Sequence, residues 1–280
     1  FQTPGRTYTG AGCVSSAVAE AVCFGIRCLL VTGRSSTRAS GAVYAVTESL
    51  TGAGAEVTLF DNVGQDPGVA TVDAIRARIH ETHAEFLVRL GGGSAMDAAK
   101  AAAGLAAETA PTSAFLLEQR HARAGLPIVA IPTTSGTGAE ATPNAVICDP
   151  SAKVKASLRN GHFLPSMAIV DPLLTLSCPA RITAYSGMDA ITQAIESFVS
   201  IHAGPLSDAF AFEAFRLLWG NVERAFADGA DLSAREACSY GSLMAGISLA
   251  NARLGAVHGM AHPLGVRYGI PHGLICAALL

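Results

Sequence analysis

The chain has 280 residues, of which 15% are charged and 50% hydrophobic, and it carries a formal net charge of -3, against about 25% charged residues in ordinary soluble proteins. That length suits one large domain or two of ordinary size, and so apolar a composition implies extensive burial, including a subunit interface and hence a homodimer or larger homo-oligomer. No basic field is present to attract nucleic acid or an anionic membrane surface, so both are excluded as partners.

The first half alternates short apolar runs with helical patterns. Arg27–Val31 reads as a strand ending at Thr32-Gly33, followed by a helix over Thr37–Leu50. Val57–Phe60 is a second strand, with a helix over Val69–His80; Phe86–Leu90 is a third, running into Gly91-Gly92-Gly93-Ser94 and a helix from Ala95 to Ala107. Pro127–Ile131 is a fourth strand, ending at Pro132-Thr133-Thr134. Such alternation predicts a parallel sheet with helices on both faces. From Pro172 onward strand signals vanish and helical periodicity takes over, in Ala190–Ser200, Asp208–Ala227 and Ser233–Ala250. The expected architecture is therefore an α/β domain with a parallel dinucleotide-binding sheet over residues 1–171, then an all-α domain over 172–280. The chain opens at Phe1 and closes in the apolar run Gly273–Leu280 without a polar cap, which leads us to expect a piece of a longer protein with an incomplete helical domain. Seven cysteines without a CxxC pair, among them Cys23, Cys28 and Cys276 in apolar runs, read as small buried hydrophobes in a reducing compartment. With neither a signal peptide nor an apolar run of membrane-span length in evidence, the cytoplasm is the expected setting.

Two glycine- and hydroxyl-rich turns follow predicted strands, Gly91–Ser94 and Pro132–Gly138. Glycines let a ligand approach the backbone, and a helix start offers free N–H groups to a pyrophosphate. Either turn alone is only a turn; two at the C-terminal ends of parallel strands mark a nucleotide crevice. Further on, His258, His262 and His272 crowd an almost uncharged stretch, the first two four apart and so on one helix face. Asp189 and Gln193 form another i, i+4 pair. Each has an ordinary reading, as core hydrogen-bonding groups or, for Asp189, as a first-turn acid favoured by the helix dipole. Together they suit a divalent transition metal.

In this order the segments GGGSAMDAAK, PTTSGTGAEATPNAVI, Asp171-Pro172, GMDAITQAIESFVS and HGMAHPLGVRYGIPHG resemble the group III, iron-containing alcohol dehydrogenases. The resemblance implies a dinucleotide-binding domain and a helical domain with the site between them, and interconversion of alcohols and carbonyls with NAD or NADP. It also implies a metal, Fe²⁺ or in some members Zn²⁺, held by an Asp and three His. By that resemblance the metal ligands fall on Asp189, His258 and His272, with Gln193 standing where the family usually has His, a weaker donor. His262 falls beside substrate and nicotinamide as a catalytic proton relay, the unperturbed imidazole pKa lying near neutrality, and Met260, Pro263 and Leu264 would keep the site dry. Gly92, Gly93 and Ser94 fall against the pyrophosphate and Asp97 at the nicotinamide side. Thr133, Thr134 and Thr137 fall near the adenine, ribose and nicotinamide, and Lys155 by the ribose, although a solvated hairpin lysine is its ordinary reading. Where NAD-selective members carry an Asp, Gly33-Arg34-Ser35-Ser36 offers a small residue, a cation and hydroxyls, which suits the 2′-phosphate of NADP. The expected substrate is a small alcohol or aldehyde. The competing readings are a catalytically impaired nucleotide-binding homologue and a cyclase similar to dehydroquinate synthase.

Overall fold

The computed structural model describes residues 1–34, 36–118, 120 and 122–280. Its strands are β1 (Arg6–Thr9), β2 (Arg27–Gly33), β3 (Glu56–Val63), β4 (Phe86–Gly91), β5 (Ile128–Pro132), β6 (Asn144–Asp149), β7 (Val154–Arg159) and β8 (Met167–Val170). Between them run helices α1 (Val14–Ala19), α2 (Ser36–Ala39), α3 (Ala42–Gly52), α4 (Val69–Thr82), α5 (Gly93–Gly104) and α6 (Thr112–Glu118). Six strands form a parallel sheet in the order β1-β8-β5-β4-β2-β3, while β6 and β7 make a separate antiparallel hairpin.

The inner strands are runs of buried apolar residues, as a strand covered on both faces requires. Side chains alternate between faces. Leu29, Val31 and Leu87 pack with Ile75, Ile79 and Ala99 of α4 and α5. Cys28, Leu30 and Val88 pack on the opposite side with Val18, Val46 and Leu50 of α1 and α3. Helices therefore cover both faces, as the alternating pattern predicts.

After β8 the chain is helical: α7 (Ala180–Phe198), α8 (Pro205–Leu218), α9 (Asn221–Ala227), α10 (Leu232–Ala252), α11 (Ala256–Tyr268) and α12 (His272–Leu279). No helix among the described residues is long and apolar enough to cross a membrane. Several boundaries differ from the periodicity. The helix expected over Thr37–Leu50 is broken between Ala39 and Ala42, and that over Asp208–Ala227 between Leu218 and Asn221. The helix expected from Ala190 starts ten residues earlier, at Ala180 after Pro179, so Asp189 lies in its third turn and the first-turn, dipole-stabilised reading is wrong. Cys23 is exposed, whereas Cys28 and Cys276 are buried as expected.

Two close contacts set the cleft between sheet and helices. Gly138, at φ +56°, meets Gly246 of α10 so closely that a Cβ on Gly246 would stand 2.5 Å from the Gly138 carbonyl oxygen. The Asp171 carboxylate accepts hydrogen bonds from the backbone N–H groups of Gly12, Val14 and Leu173 at 2.9–3.1 Å, which fixes the chain as it leaves β8.

Candidate active site

Strand β4 delivers the chain into Gly91, whose φ of +141° only glycine adopts without strain. The next turn opens α5, and the first bond inside that helix runs from Met96 N–H to the Gly92 carbonyl. The N–H groups of Gly93, Ser94 and Ala95 are thus left without helical acceptors and form an anion-binding helix start. Beneath the turn, the fully buried Arg89 donates to the carbonyl oxygens of Gly91 and Gly92. Burial pulls its pKa down to about 9, against the opposing pull of Asp97 and Glu140. Lys100, likewise buried, donates from Nζ to the Ala139 carbonyl (2.8 Å) and to Thr142 Oγ1 (3.0 Å), stitching α5 to the second glycine-rich turn. Burial lowers its pKa to about 8, opposed by Asp97 and Glu140. Neither cation is among the residues singled out from the sequence. The signal was there: a lone Arg inside a fully apolar strand and a lone Lys inside an alanine helix are each costly to bury unless they bind something.

Gly33, Arg34, Gly92, Gly93, Ser94, Thr133, Thr134 and Thr137 line one cleft, whose far end is Asp189 and His272. Among the described residues Arg34 makes no ion pair; Ser35 lies outside them. An adjoining cavity shares Gly93, Ser94, Thr137, Asp189 and His272 and adds Asp97, Lys155, Gln193, His258 and His262. The described site residues expected from the sequence therefore converge on one continuous space. Lys155 is not a solvated hairpin lysine: its side chain is largely covered, and Nζ sits 2.6 Å from Asp66 Oδ1. Burial pushes the Asp97 carboxyl pKa up, opposed chiefly by Lys100 at 3.9 Å.

At the far end, Asp189 Oδ1 lies 3.0 Å from His258 Nε2 and 3.6 Å from His272 Nε2. The imidazole of His258 is held from behind, where Nδ1 meets Glu196 Oε2 at 2.5 Å. The same carboxylate accepts from the N–H groups of Val257 (2.7 Å) and His258 (3.3 Å), so Glu196 also closes the start of α11. Burial disfavours charge at His258, but hydrogen bonds to Asp189, Cys276 and Glu196 outweigh it and raise its pKa to about 11. Burial likewise opposes the Asp189 carboxylate, yet His258 and His272 hold its pKa below the usual range. Sequence reasoning missed Glu196, although it falls seven residues after Asp189 and so on the same face of α7 as Asp189 and Gln193.

The Oε1 atom of Gln193 is buried and, among the described residues, has no hydrogen-bond partner, an expensive state for an amide oxygen. A carboxylate, two imidazoles and an orphaned amide oxygen facing one space are a donor set that fits a divalent transition metal. His262 lies against His272, ring centroids 5.1 Å apart, and its buried Nδ1 is also unpartnered. Burial and the neighbouring His272 and His258 push its pKa from the ordinary imidazole value down to about 4. The expected dry wall fails in part too. Met260 and Pro263 are exposed on the outer side of α11, and the apolar lining comes from Val146, Leu249 and Leu254.

The order of these parts along the chain has a counterpart among known proteins. Residues 4–172 match the family described as iron-containing alcohol dehydrogenase, and residues 183–280 match the C-terminal domain of the Fe-containing alcohol dehydrogenase family. The chain belongs to the iron-containing alcohol dehydrogenase family. Within it, the chain is 37% identical over 280 residues to a protein of Escherichia coli (strain K12) named probable alcohol dehydrogenase EutG, covering 100% of this chain and 71% of that one. It is 40% identical over 258 residues to a 1,3-propanediol dehydrogenase of Citrobacter freundii, covering 91% of this chain and 66% of the relative. The fold superposes with a TM-score of 0.92 on a sulfoacetaldehyde reductase from Bifidobacterium kashiwanohense in complex with NAD+, at 33% identity, covering 99% of this chain and 73% of that one. Family membership accounts for the six-stranded parallel sheet followed by helices.

Proposed function

We propose that this chain is a metal-dependent, NAD(P)-linked alcohol dehydrogenase and aldehyde reductase acting on a small alcohol or carbonyl. The observation that carries the reading is the meeting of Asp189, His258 and His272, beside the unpartnered Gln193 oxygen, with the end of a glycine-lined cleft. In this reading Asp189, His258 and His272 hold a divalent ion, Fe²⁺ or Zn²⁺, with Gln193 as a weak ligand. When bound, that ion supplies Lewis-acid polarisation of the substrate oxygen. The N–H groups at the start of α5 receive the pyrophosphate, with Gly92, Gly93 and Ser94 against it. Thr133, Thr134 and Thr137 border the nucleoside, Asp97 the nicotinamide side and Lys155 the ribose. These contacts fix the nicotinamide against the substrate carbon, which is most of what a hydride transfer asks of a protein. Neutral His262 hydrogen-bonds the substrate hydroxyl through Nδ1, supported by that buried nitrogen having no partner among the described residues. Arg34 at the cleft mouth, with no acid at Gly33, favours the 2′-phosphate of NADP(H). The division into residues 1–171 and 172–280 is part of the same proposal, supported by β8 ending at Val170 and α7 starting at Ala180.

The test is NADPH and NADH oxidation, followed by fluorescence, over a panel of small aldehydes in metal-replete buffer. Net hydride transfer is expected. Nucleotide binding without turnover on any carbonyl would favour a non-catalytic binder instead, and conversion of a sugar phosphate without net nucleotide consumption would favour a cyclase.

A further inference from the structure

Cys276 follows His272 by one turn of α12, so the two side chains project from one face. Its thiol is buried, and although Ala261 and Ile275 pack on it, its sulfur points at nitrogen. The Sγ atom stands 3.7 Å from His272 Nε2 and 3.9 Å from His258 Nε2. Those nitrogens in turn stand 3.6 and 3.0 Å from Asp189 Oδ1. One donor atom from each of Asp189, His258, His272 and Cys276 lies within 4.8 Å of the other three. Donors sharing one tetrahedral ion, at ordinary metal–sulfur and metal–nitrogen bond lengths, sit about 3.3–3.6 Å apart. The two sulfur–nitrogen separations exceed that spacing by only a few tenths of an ångström, and no pair among the four donors is more than 4.8 Å apart. The Gln193 amide, which lines the same cavity as Asp189, His258 and His272, offers only a neutral oxygen, buried and without a partner among the described residues.

Resting on the metal reading above, we propose that Cys276 Sγ is a fourth ligand of the ion, taking over the strong position that Gln193 cannot fill. The thiol releases its proton to solvent as the sulfur–metal bond forms, with no change of oxidation state. The donor set becomes one carboxylate, two imidazoles and one thiolate, softer than oxygen and nitrogen alone and better suited to Zn²⁺ or Co²⁺. Gln193 remains beside them as the weak oxygen donor.

The decisive measurement is spectroscopic. Metal-stripped protein titrated with Co²⁺ should show visible d–d bands of a low-symmetry site together with a near-ultraviolet thiolate-to-metal charge-transfer band. Cys276→Ser should lose the charge-transfer band while keeping the d–d bands, and its Co²⁺ affinity should fall at least tenfold. Cys148→Ser should keep both. X-ray absorption on the zinc-loaded wild type, which needs no variant, should resolve one sulfur at about 2.3 Å. Visible bands without charge transfer, or a zinc shell of nitrogen and oxygen only, would overturn the Cys276 assignment while leaving the metal site standing. No Co²⁺ uptake at all would overturn both.

Discussion

Replacing Glu196 by Gln removes a charge and almost no volume, at a residue that lines neither the cleft nor the adjoining cavity. The carboxylate accepts three hydrogen bonds, from Val257 N–H at 2.7 Å, His258 N–H at 3.3 Å and His258 Nδ1 at 2.5 Å, and it is 5% exposed. A Gln can keep one acceptor on Val257, but its NH₂ group then faces the remaining donors. The charge-assisted bond to Nδ1 is lost, at about 1.5–3 kcal/mol, and the imidazole loses both its orientation and part of its basicity at Nε2. Loss of a comparable carboxylate behind a metal-binding histidine lowers metal affinity by about 10–100-fold, and that range is expected here. The assay is competition for Zn²⁺ against a chromophoric chelator, with nucleotide affinity measured in parallel as a control on the cleft. Metal affinity should fall within that range and nucleotide affinity by less than twofold. Unchanged metal affinity with a lowered melting temperature would refute the argument and reduce Glu196 to a cap on α11.

Gly33→Asp should turn the preference from NADP(H) toward NAD(H) by tenfold or more in kcat/KM, since an acid there repels a 2′-phosphate; an unchanged NADPH to NADH ratio would disprove the role given to Gly33 and Arg34. His262 has a folded pKa of about 4 below its unfolded value of about 6.5, so the unfolded chain binds the extra proton and stability rises with pH across that interval. His262→Asn should flatten the rise between pH 4 and 6.5 in denaturant titrations, and an identical slope would mean His262 is not held neutral. Gly246→Ala places a methyl 2.5 Å from the Gly138 carbonyl oxygen and should destabilise by about 1–3 kcal/mol, the usual cost of overpacking; a melting temperature equal to wild type would show that the contact yields freely.

The inner strands and the candidate metal donors were legible because burial on both faces and i, i+4 spacing leave direct marks in sequence. β1 was not: its four residues, Arg-Thr-Tyr-Thr, form a largely exposed edge, with no apolar run to report them. β8 is only Met167–Val170, too short to stand out before a helical stretch. The hairpin of β6 and β7 carries its alternation only faintly, since β7 is half-buried along most of its length. Lys155 looked solvated because nothing in the sequence brings Asp66, nearly ninety residues earlier, to its side. His262 shows the same limit. Spacing announced an imidazole near the metal donors, but its pKa is set by how closely His258 and His272 crowd it, which only the packing of α11 on α12 determines.

The guanidinium of Arg89 has a consequence for how nucleotide arrives. By holding the carbonyls of Gly91 and Gly92 from below, with its own Nε left without a partner among the described residues, it fixes the turn in its binding shape before any ligand enters. The entropy of ordering that loop is then lost during folding and not during association, so more of the contact energy is expressed as affinity. The burden falls on the sheet, which must stay folded around a desolvated cation that contributes nothing to the hydrophobic core.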